Sequence, residues 1–300
     1  MTSGSTITVE VPATSANLGP GFDCLGLALD LRLRVTCSPR LEGLHIVSGD
    51  PAISAGEDNL IWQAMSRVFE FAGAASPGVE LRIENGIPLS RGLGSSSAAI
   101  IAGLTLANEL MGGGYSQQEL LGVGLPLEGH PDNLAPALFG GLTVAVLAGE
   151  NPIVARVPLP RPPGVALFVP DQPMATAEAR RLLPESVPRA DAVFNTGRSA
   201  LLVAGLATGD FSVLRRATED RLHQPYRAAM FEAMPELIQA ALDAGAAGAA
   251  LSGAGSTIIA LCEGDPRPPS EAMAAAAARL EVAGAARTAS IDLAGARLVS

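Results

Sequence analysis

Hydrophobic and polar residues alternate near the start of the chain. Ile7, Val9 and Val11 are separated by Thr8 and Glu10, the period of a strand with one buried face. Leu31, Leu33, Val35 and Cys37 repeat the pattern, and Val79, Leu81 and Ile83 repeat it again. Leu60, Ile61, Ala64, Met65, Val68 and Phe69 instead recur at the spacing of one helix face. Ser116 followed by Glu119 is the pair of a capping box and predicts the start of a short helix. Apolar runs over 142–147 and 165–169 have strand length. Helices are expected over 191–207, 235–244 and 272–280, and strands over 249–251, 258–262 and 288–293. Strands and helices mix without a regular βαβ repeat, which predicts an α+β fold over a doubly wound sheet. No internal repeat of fixed period is present. The proline-dense segment 157–164 is the natural linker and divides the chain into expected domains 1–160 and 161–300.

Composition agrees with that division, since 300 residues at roughly 150 per domain make two domains. Hydrophobic residues make up 48%, enough for a sizeable core. A net charge of −10 and a pI near 4.8 argue against a nucleic-acid binder. All 20 Lys+Arg residues are arginine. With no lysine there is no Schiff-base or PLP anchor, no P-loop and no protein-kinase β3 lysine. Phosphate must then be held by backbone N–H groups, arginine, hydroxyls and a metal. Cys24, Cys37 and Cys262 have no C-x-x-C spacing, which suits a reducing compartment. The first ten residues lack a basic and apolar leader, and the most apolar stretch, 98–111, is too short to span a bilayer. A cytoplasmic protein with no membrane or nucleic-acid partner is expected.

Three glycine-rich segments carry candidate chemistry. Pro88, Leu89, Ser90, Arg91, Gly92, Leu93, Gly94, Ser95, Ser96, Ser97 and Ala98 follow a strand and enter a helix-forming stretch. Such a turn, with serines capping the helix, is either an ordinary glycine turn or a lysine-free phosphate cradle. It lacks the spacing of a dinucleotide-binding loop. The segment 12–23, holding Asn17 and Asp23, reads as a polar loop between strands, for which an ordinary turn suffices. The segment 252–257 reads as a hairpin turn that could touch a ligand only by facing the cradle. Between them, Glu128, His130, Asp132 and Asn133 lie within six residues, and Gly129 and Pro131 predict a loop there. Glu128 or Asp132 suits magnesium, and Asp132 or His130 could act as a base.

Together the segments resemble the GHMP kinase superfamily. The pattern P-x-x-x-G-L-G-S-S-A-A is met from Pro88 with Ser97 as the one substitution. Within the superfamily, S-A-N-L-G-P-G-F-D at 15–23 and E-G-H-P-D-N-L-A-P-A-L-F-G-G at 128–141 are similar to the homoserine kinases. The resemblance implies a ribosomal-S5-like N-terminal domain and a ferredoxin-like C-terminal domain with the site between them. It implies phosphorylation of the side-chain hydroxyl of L-homoserine by ATP and Mg²⁺ on the route to threonine, and a homodimer. By position, 88–98 would wrap the ATP phosphates, with Ser97 and Glu128 near Mg²⁺. Asn17, Asp23, His130 and Asp132 would line the homoserine end, Asp23 facing the ammonium. Thr176-Ala177-Glu178-Ala179-Arg180 and Gln224-Pro225-Tyr226-Arg227 resemble the two arginine motifs of the family. Arg180 would meet the substrate carboxylate or γ-phosphate, and Arg227 the carboxylate. Taken alone, either arginine reads more readily as a surface ion-pair residue.

Asn133 stands where some superfamily members carry a catalytic aspartate paired with a lysine. An amide nitrogen accepts no proton. The expectation is therefore a reaction carried by positioning and charge stabilisation, with Arg180, Asn133 and His130 nearest the chemistry. A mevalonate, sugar or polyol kinase of the same superfamily, or a non-catalytic binding relative, are the competing readings. The other kinases do not need both an acid for an ammonium and cations for a carboxylate, and a pure binding relative has no need of the metal residues Ser97 and Glu128.

Overall fold

The computed structural model describes residues 6–149 and 151–299; the ends of the two expected domains at 1–5 and 300, and residue 150, lie outside the described residues. Strands β1 (Ile7–Asn17) and β2 (Gly21–Arg40) pair antiparallel along almost their whole length. The chain continues through β3 (Leu44–Ser48), α1 (Leu60–Phe71), β4 (Gly78–Asn85), α2 (Ser95–Leu110), α3 (Gln117–Glu128), α4 (Pro131–Phe139), β5 (Leu142–Ala148) and β6 (Asn151–Val157). After the proline segment come β7 (Gly164–Pro170), α5 (Thr176–Arg181), α6 (Arg189–Thr208), α7 (Leu214–Ala217), α8 (Gln224–Arg227) and α9 (Met234–Asp243). They are followed by β8 (Gly248–Leu251), β9 (Ile258–Cys262), α10 (Arg267–Arg279), β10 (Gly284–Ala289) and β11 (Arg297–Val299).

The first sheet, seven-stranded among the described residues, runs β11-β1-β2-β4-β3, with β5 joined to β2 and β6 to β5. Helices α1 to α4 pack on one another, and α2 and α4 rest on β1 and β2. The alternating residues read from the sequence supply this layer's core: Val9, Val11, Val35, Cys37, Val79 and Leu81 are buried. Burying each such side chain is worth about 1.5–3 kcal/mol. Helix α1 buries Ile61, Ala64, Met65, Val68 and Phe69, and the Asn59 side chain caps it by accepting from the Ile61 N–H. The capping box of Ser116 and Glu119 is formed at the start of α3.

The second sheet has the order β10-β7-β9-β8, all antiparallel. With helices between its first and second and its third and fourth strands, it is the ferredoxin-like unit that the resemblance implies. The mixed architecture is α+β, as the element pattern predicts. The chain crosses between sheets within 158–163 and crosses back near its end. Asp30 N–H donates to Ser290 O, Leu29 bridges Ile291, and β11 pairs with β1. Sheet membership thus divides the described chain into 6–157 with 290–299, and 164–289, where the sequence pattern suggested 161–300.

Three local expectations are corrected. The segment 12–23 is mostly strand, with only 18–20 outside β1 and β2, because small buried residues (Ala13, Thr14, Ser15, Ala16) continue the sheet. The expected strand 288–293 ends at Ala289, with Ile291 as a single bridge. The cluster 128–133 is a junction between helices, not a loop. Gly129 closes α3, and Pro131 opens α4 at a first-turn position where its missing N–H has no helical partner to lose.

The start of α4 is seated against β2 at one glycine. A Cβ on Gly26 would stand 1.8 Å from the backbone oxygen of Asp132. Gly26→Ala is expected to lower unfolding stability by roughly 1–3 kcal/mol, read by denaturant titration, because neither backbone can yield locally.

Candidate active site

The glycine turn enters α2 in a way that leaves donors open. Its N-cap is Gly94, at φ +66°, with no side-chain cap bond, so the serines occupy the first helical turn and do not cap it as expected. The first helical bond runs from Ala98 N–H to Gly94 O. The N–H groups of Ser95, Ser96 and Ser97 therefore have no intrahelical partner at the positive end of a 16-residue helix. This is the construction of an anion site. A Cβ at Gly94 would stand 1.8 Å from Thr14 Oγ1, so the left-handed turn and its close approach both demand glycine.

The turn is gripped from both sheets. Thr14 N–H donates to Leu93 O, and Thr257 N–H donates to Arg91 O. Ser252 Oγ donates to Gly92 O at 2.6 Å. The hairpin 252–257 therefore faces the cradle. Arg91 is engaged with the Leu89, Pro170 and Asp171 carbonyls and acts as a tie between β7 and the turn.

Opposite the cradle, Asn17, Leu18 and Asp23 adopt positive φ, strained backbone concentrated at the end of β1. Asn17 holds this bend: its Nδ2 donates to Gly253 O at 3.0 Å and its Oδ1 accepts from Asp23 N–H at 3.0 Å. The Asp23 carboxylate takes the Arg180 guanidinium on both oxygens, one contact at 3.1 Å. Arg227, only 1% exposed, stands 5.4 Å from the Phe22 ring centroid, and Arg180 stands 5.3 Å from the same centroid.

The titrating groups are strongly perturbed. Burial, with Asp23 nearby, pushes Asp132 up to about 7. Burial raises Glu128 against the pull of the Ser96 hydroxyl, which donates to it at 2.9 Å. Burial and the Arg180 charge lower His130, so the ring is neutral at physiological pH. Asn133 Oδ1 accepts from Thr14 Oγ1 at 2.7 Å and its Nδ2 donates to Asp132 Oδ1 at 3.4 Å, so the amide can offer the site only its second N–H as donor. Burial pushes the free thiols of Cys24, Cys37 and Cys262 to about 11, about 12 and about 11, and none is a thiolate nucleophile at neutral pH.

One cavity of about 210 Å³ gathers these groups. Asn17, Asp23, Ser90, Arg91, Gly92, Leu93, Gly94, Ser95, Ser96, Glu128, His130, Asp132, Asn133, Arg180 and Arg227 all line it. Pro88, Leu89, Ser97 and Ala98 do not; Ser97 is fully buried behind the cradle, its Oγ without a hydrogen-bond partner. Sequence reasoning missed Met174 and Ala175, which close the cavity ahead of α5, next to Thr176 of the first arginine motif. It also missed a more apolar cavity of about 330 Å³ that meets the cradle at Ser90, Ser95 and Ser96 and is walled by Ile53, Leu60, Ile83 and Ala99 beside Asn59 and Asn85. Those residues carry no signal beyond that of ordinary core.

Residues 59–141 match the family described as the GHMP kinases N terminal domain, and 202–283 that described as GHMP kinases C terminal. The chain is 48% identical over 258 residues to a homoserine kinase of Desulfitobacterium hafniense, covering 85% of this chain and 86% of that one. A homoserine kinase of Microchaete diplosiphon is 44% identical over 277 residues, 91% of this chain and 89% of the other. The crystal structure of homoserine kinase from Cytophaga hutchinsonii superposes with a TM-score of 0.91 at 29% identity, over 100% of this chain and 99% of that one. A mevalonate kinase crystal structure, at 12% identity and TM-score 0.70 over 95% and 99% of the two chains, shares the fold.

Gly94→Ala adds a methyl group into Thr14 and strains a left-handed turn. It is expected to weaken ATP binding about tenfold or more in calorimetric titration, while leaving the helical content measured by circular dichroism near that of the parent.

Proposed function

We propose that this chain, which belongs to the GHMP kinases, transfers the γ-phosphoryl group of ATP to the side-chain hydroxyl of L-homoserine, giving O-phospho-L-homoserine for threonine synthesis. The observation that carries this reading is the pairing, in one cavity, of a phosphate cradle with an acid and two arginines. A zwitterionic amino acid needs that set. Asp23 and Arg180 pair with each other across the cavity wall. Substrate entry exchanges that pair for two: ammonium on Asp23, and carboxylate on Arg180 and Arg227. No buried charge is then left unpaired, which would otherwise cost several kcal/mol. Arginine suits the carboxylate because its planar fork donates two parallel bonds.

The nucleotide's phosphates would lie on the N–H groups of Ser95, Ser96 and Ser97, and its base in the adjoining apolar cavity. The residues also fit magnesium. Ser97 Oγ is buried without a partner, and among the described residues the Glu128 carboxyl accepts from the Ser96 hydroxyl alone. Among the described residues no three His, Cys, Asp or Glu side chains gather into a metal site of their own. An ion that keeps most of its ligands from phosphate and water is what such a site accepts. Ser97 and Glu128 would hold it, and its charge would neutralise the phosphate oxygens.

Phosphoryl transfer depends chiefly on alignment and on charge placed around the moving group. Asp23, Arg180 and Arg227 fix the amino-acid end, Asn133 donates toward the reacting groups, and neutral His130 adds no competing charge. The hydroxyl proton passes late to the phosphoryl oxygen. Asp132 serves the ammonium and does not need to act as a base.

Purified protein should release ADP with homoserine and not with mevalonate or a sugar; turnover of mevalonate alone would overturn the substrate reading. A raised carboxyl is protonated below its pKa and ionised above it, so kcat/KM for homoserine should climb with pH through about 7. In Asp132→Asn that rise should vanish, with KM raised and kcat within about tenfold of the parent. A kcat loss of about 10²–10⁴ at unchanged KM would instead make Asp132 the general base.

A further inference from the structure

Arg227 Nη1 makes two hydrogen bonds inside the protein, to Gly253 O at 2.9 Å and to His223 Nδ1 at 3.1 Å. A guanidinium has donors and no acceptor, so Nδ1 must be the lone-pair nitrogen of the imidazole. The proton is then on Nε2, which stands 2.7 Å from Gly19 O and donates to it. Both ring nitrogens are satisfied, and this tautomer follows from the two partners together. Burial favours the neutral ring and pushes His223 down, against the opposing pull of the Asp220 carboxylate 3.6 Å from Nε2.

The remaining contacts fix the ring in place. Asp220 Oδ2 accepts the N–H groups of His223 and Gln224 at 3.0 and 2.7 Å, which anchors the start of α8. Gln224 Oε1 accepts from Leu251 N–H at 2.8 Å, joining the helix to β8. Phe22 stacks on the imidazole with centroids 5.3 Å apart. His223 therefore touches both sides of the amino-acid end: the turn that carries Asp23, and the guanidinium of Arg227.

With both protons of Nη1 engaged, the edge of Arg227 formed by Nε and Nη2 is left over. Nε is buried without a partner, and Nη2 makes no hydrogen bond with the described residues. A carboxylate pairs with two parallel N–H groups of this kind. The geometry points to His223 as a positioning residue that turns this edge of Arg227 to the substrate carboxylate and thereby helps select α-amino acids over simple amino alcohols. The inference rests on the reading of Arg227 as carboxylate ligand.

The test compares L-homoserine with 3-aminopropan-1-ol, which keeps the hydroxyl and ammonium and lacks the carboxylate. His223→Gln can retain a donor toward Gly19 O but lacks the acceptor at Nδ1. It is expected to raise KM for homoserine about tenfold, the value of one charge-assisted hydrogen bond, with kcat, KM for ATP and the inhibition constant of 3-aminopropan-1-ol little changed. His223→Asn places its amide oxygen near Nδ1 and should recover most of the homoserine KM despite losing the bond to Gly19. Equal weakening of both compounds by His223→Gln, or an unchanged homoserine KM, would overturn the role. If His223→Gln does not fold, His223→Asn decides. Kept selectivity at reduced thermal stability supports the role, and lost selectivity overturns it. A parent enzyme that does not distinguish the two compounds would overturn the carboxylate reading itself, and this role with it.

Discussion

The carbonyl oxygen of Gly253 accepts hydrogen bonds from Asn17 Nδ2 and Arg227 Nη1, and the site depends on that junction. Asn17 ends β1 and holds Asp23, while Arg227 belongs to the second sheet's helices. The same hairpin grips the phosphate turn through Ser252 and Thr257, and Gly253 N–H donates to Ala16 O. These groups are buried, so a break in the seam would leave unsatisfied donors and acceptors at about 1–3 kcal/mol each. The cradle and the amino-acid end are thereby held in one frame, and the distance between phosphate and hydroxyl is a property of the interface between two sheets.

Charge is arranged on the same logic. Two arginines, Asp23 and a carboxyl with a pKa of about 7 share a small cavity, and both guanidinium groups lie near the Phe22 ring. The acid and base character offered to a zwitterion nearly balances before the substrate arrives. Lysine would serve poorly here, because a point charge on a flexible stem cannot present a fixed pair of donors. At the cradle the arginine present, Arg91, is engaged with backbone carbonyls. In the proposed reading the open N–H groups of α2 would take the phosphate, which is consistent with Gly94 lacking a side-chain cap.

Local signals were legible wherever one residue and its near neighbours decide the outcome. The face of α1, the capping box of α3, the strand alternation and the glycine turn into α2 all appear in the structure at the places the pattern predicts. The junction at Gly129 and Pro131 was misread because proline breaks a helix interior yet suits its first turn, and the sequence alone does not say which position it holds. The apolar cavity beside the cradle was hidden for a related reason. Ile53, Leu60 and Ile83 look the same in sequence whether they face core or an opening.

By itself, then, the sequence determined many of the elements, the α+β class and the candidate groups, because periodicity, caps and motif chemistry are written within a few residues of one another. Only the tertiary structure decided which of those groups meet. It brought the hairpin 252–257 onto the phosphate turn, returned the tail to β1, engaged the Asn17 side chain with structural partners, and set His223 against Arg227. Those contacts join residues separated by tens to hundreds of positions, or depend on a tautomer and a burial that arise only after both sheets have packed.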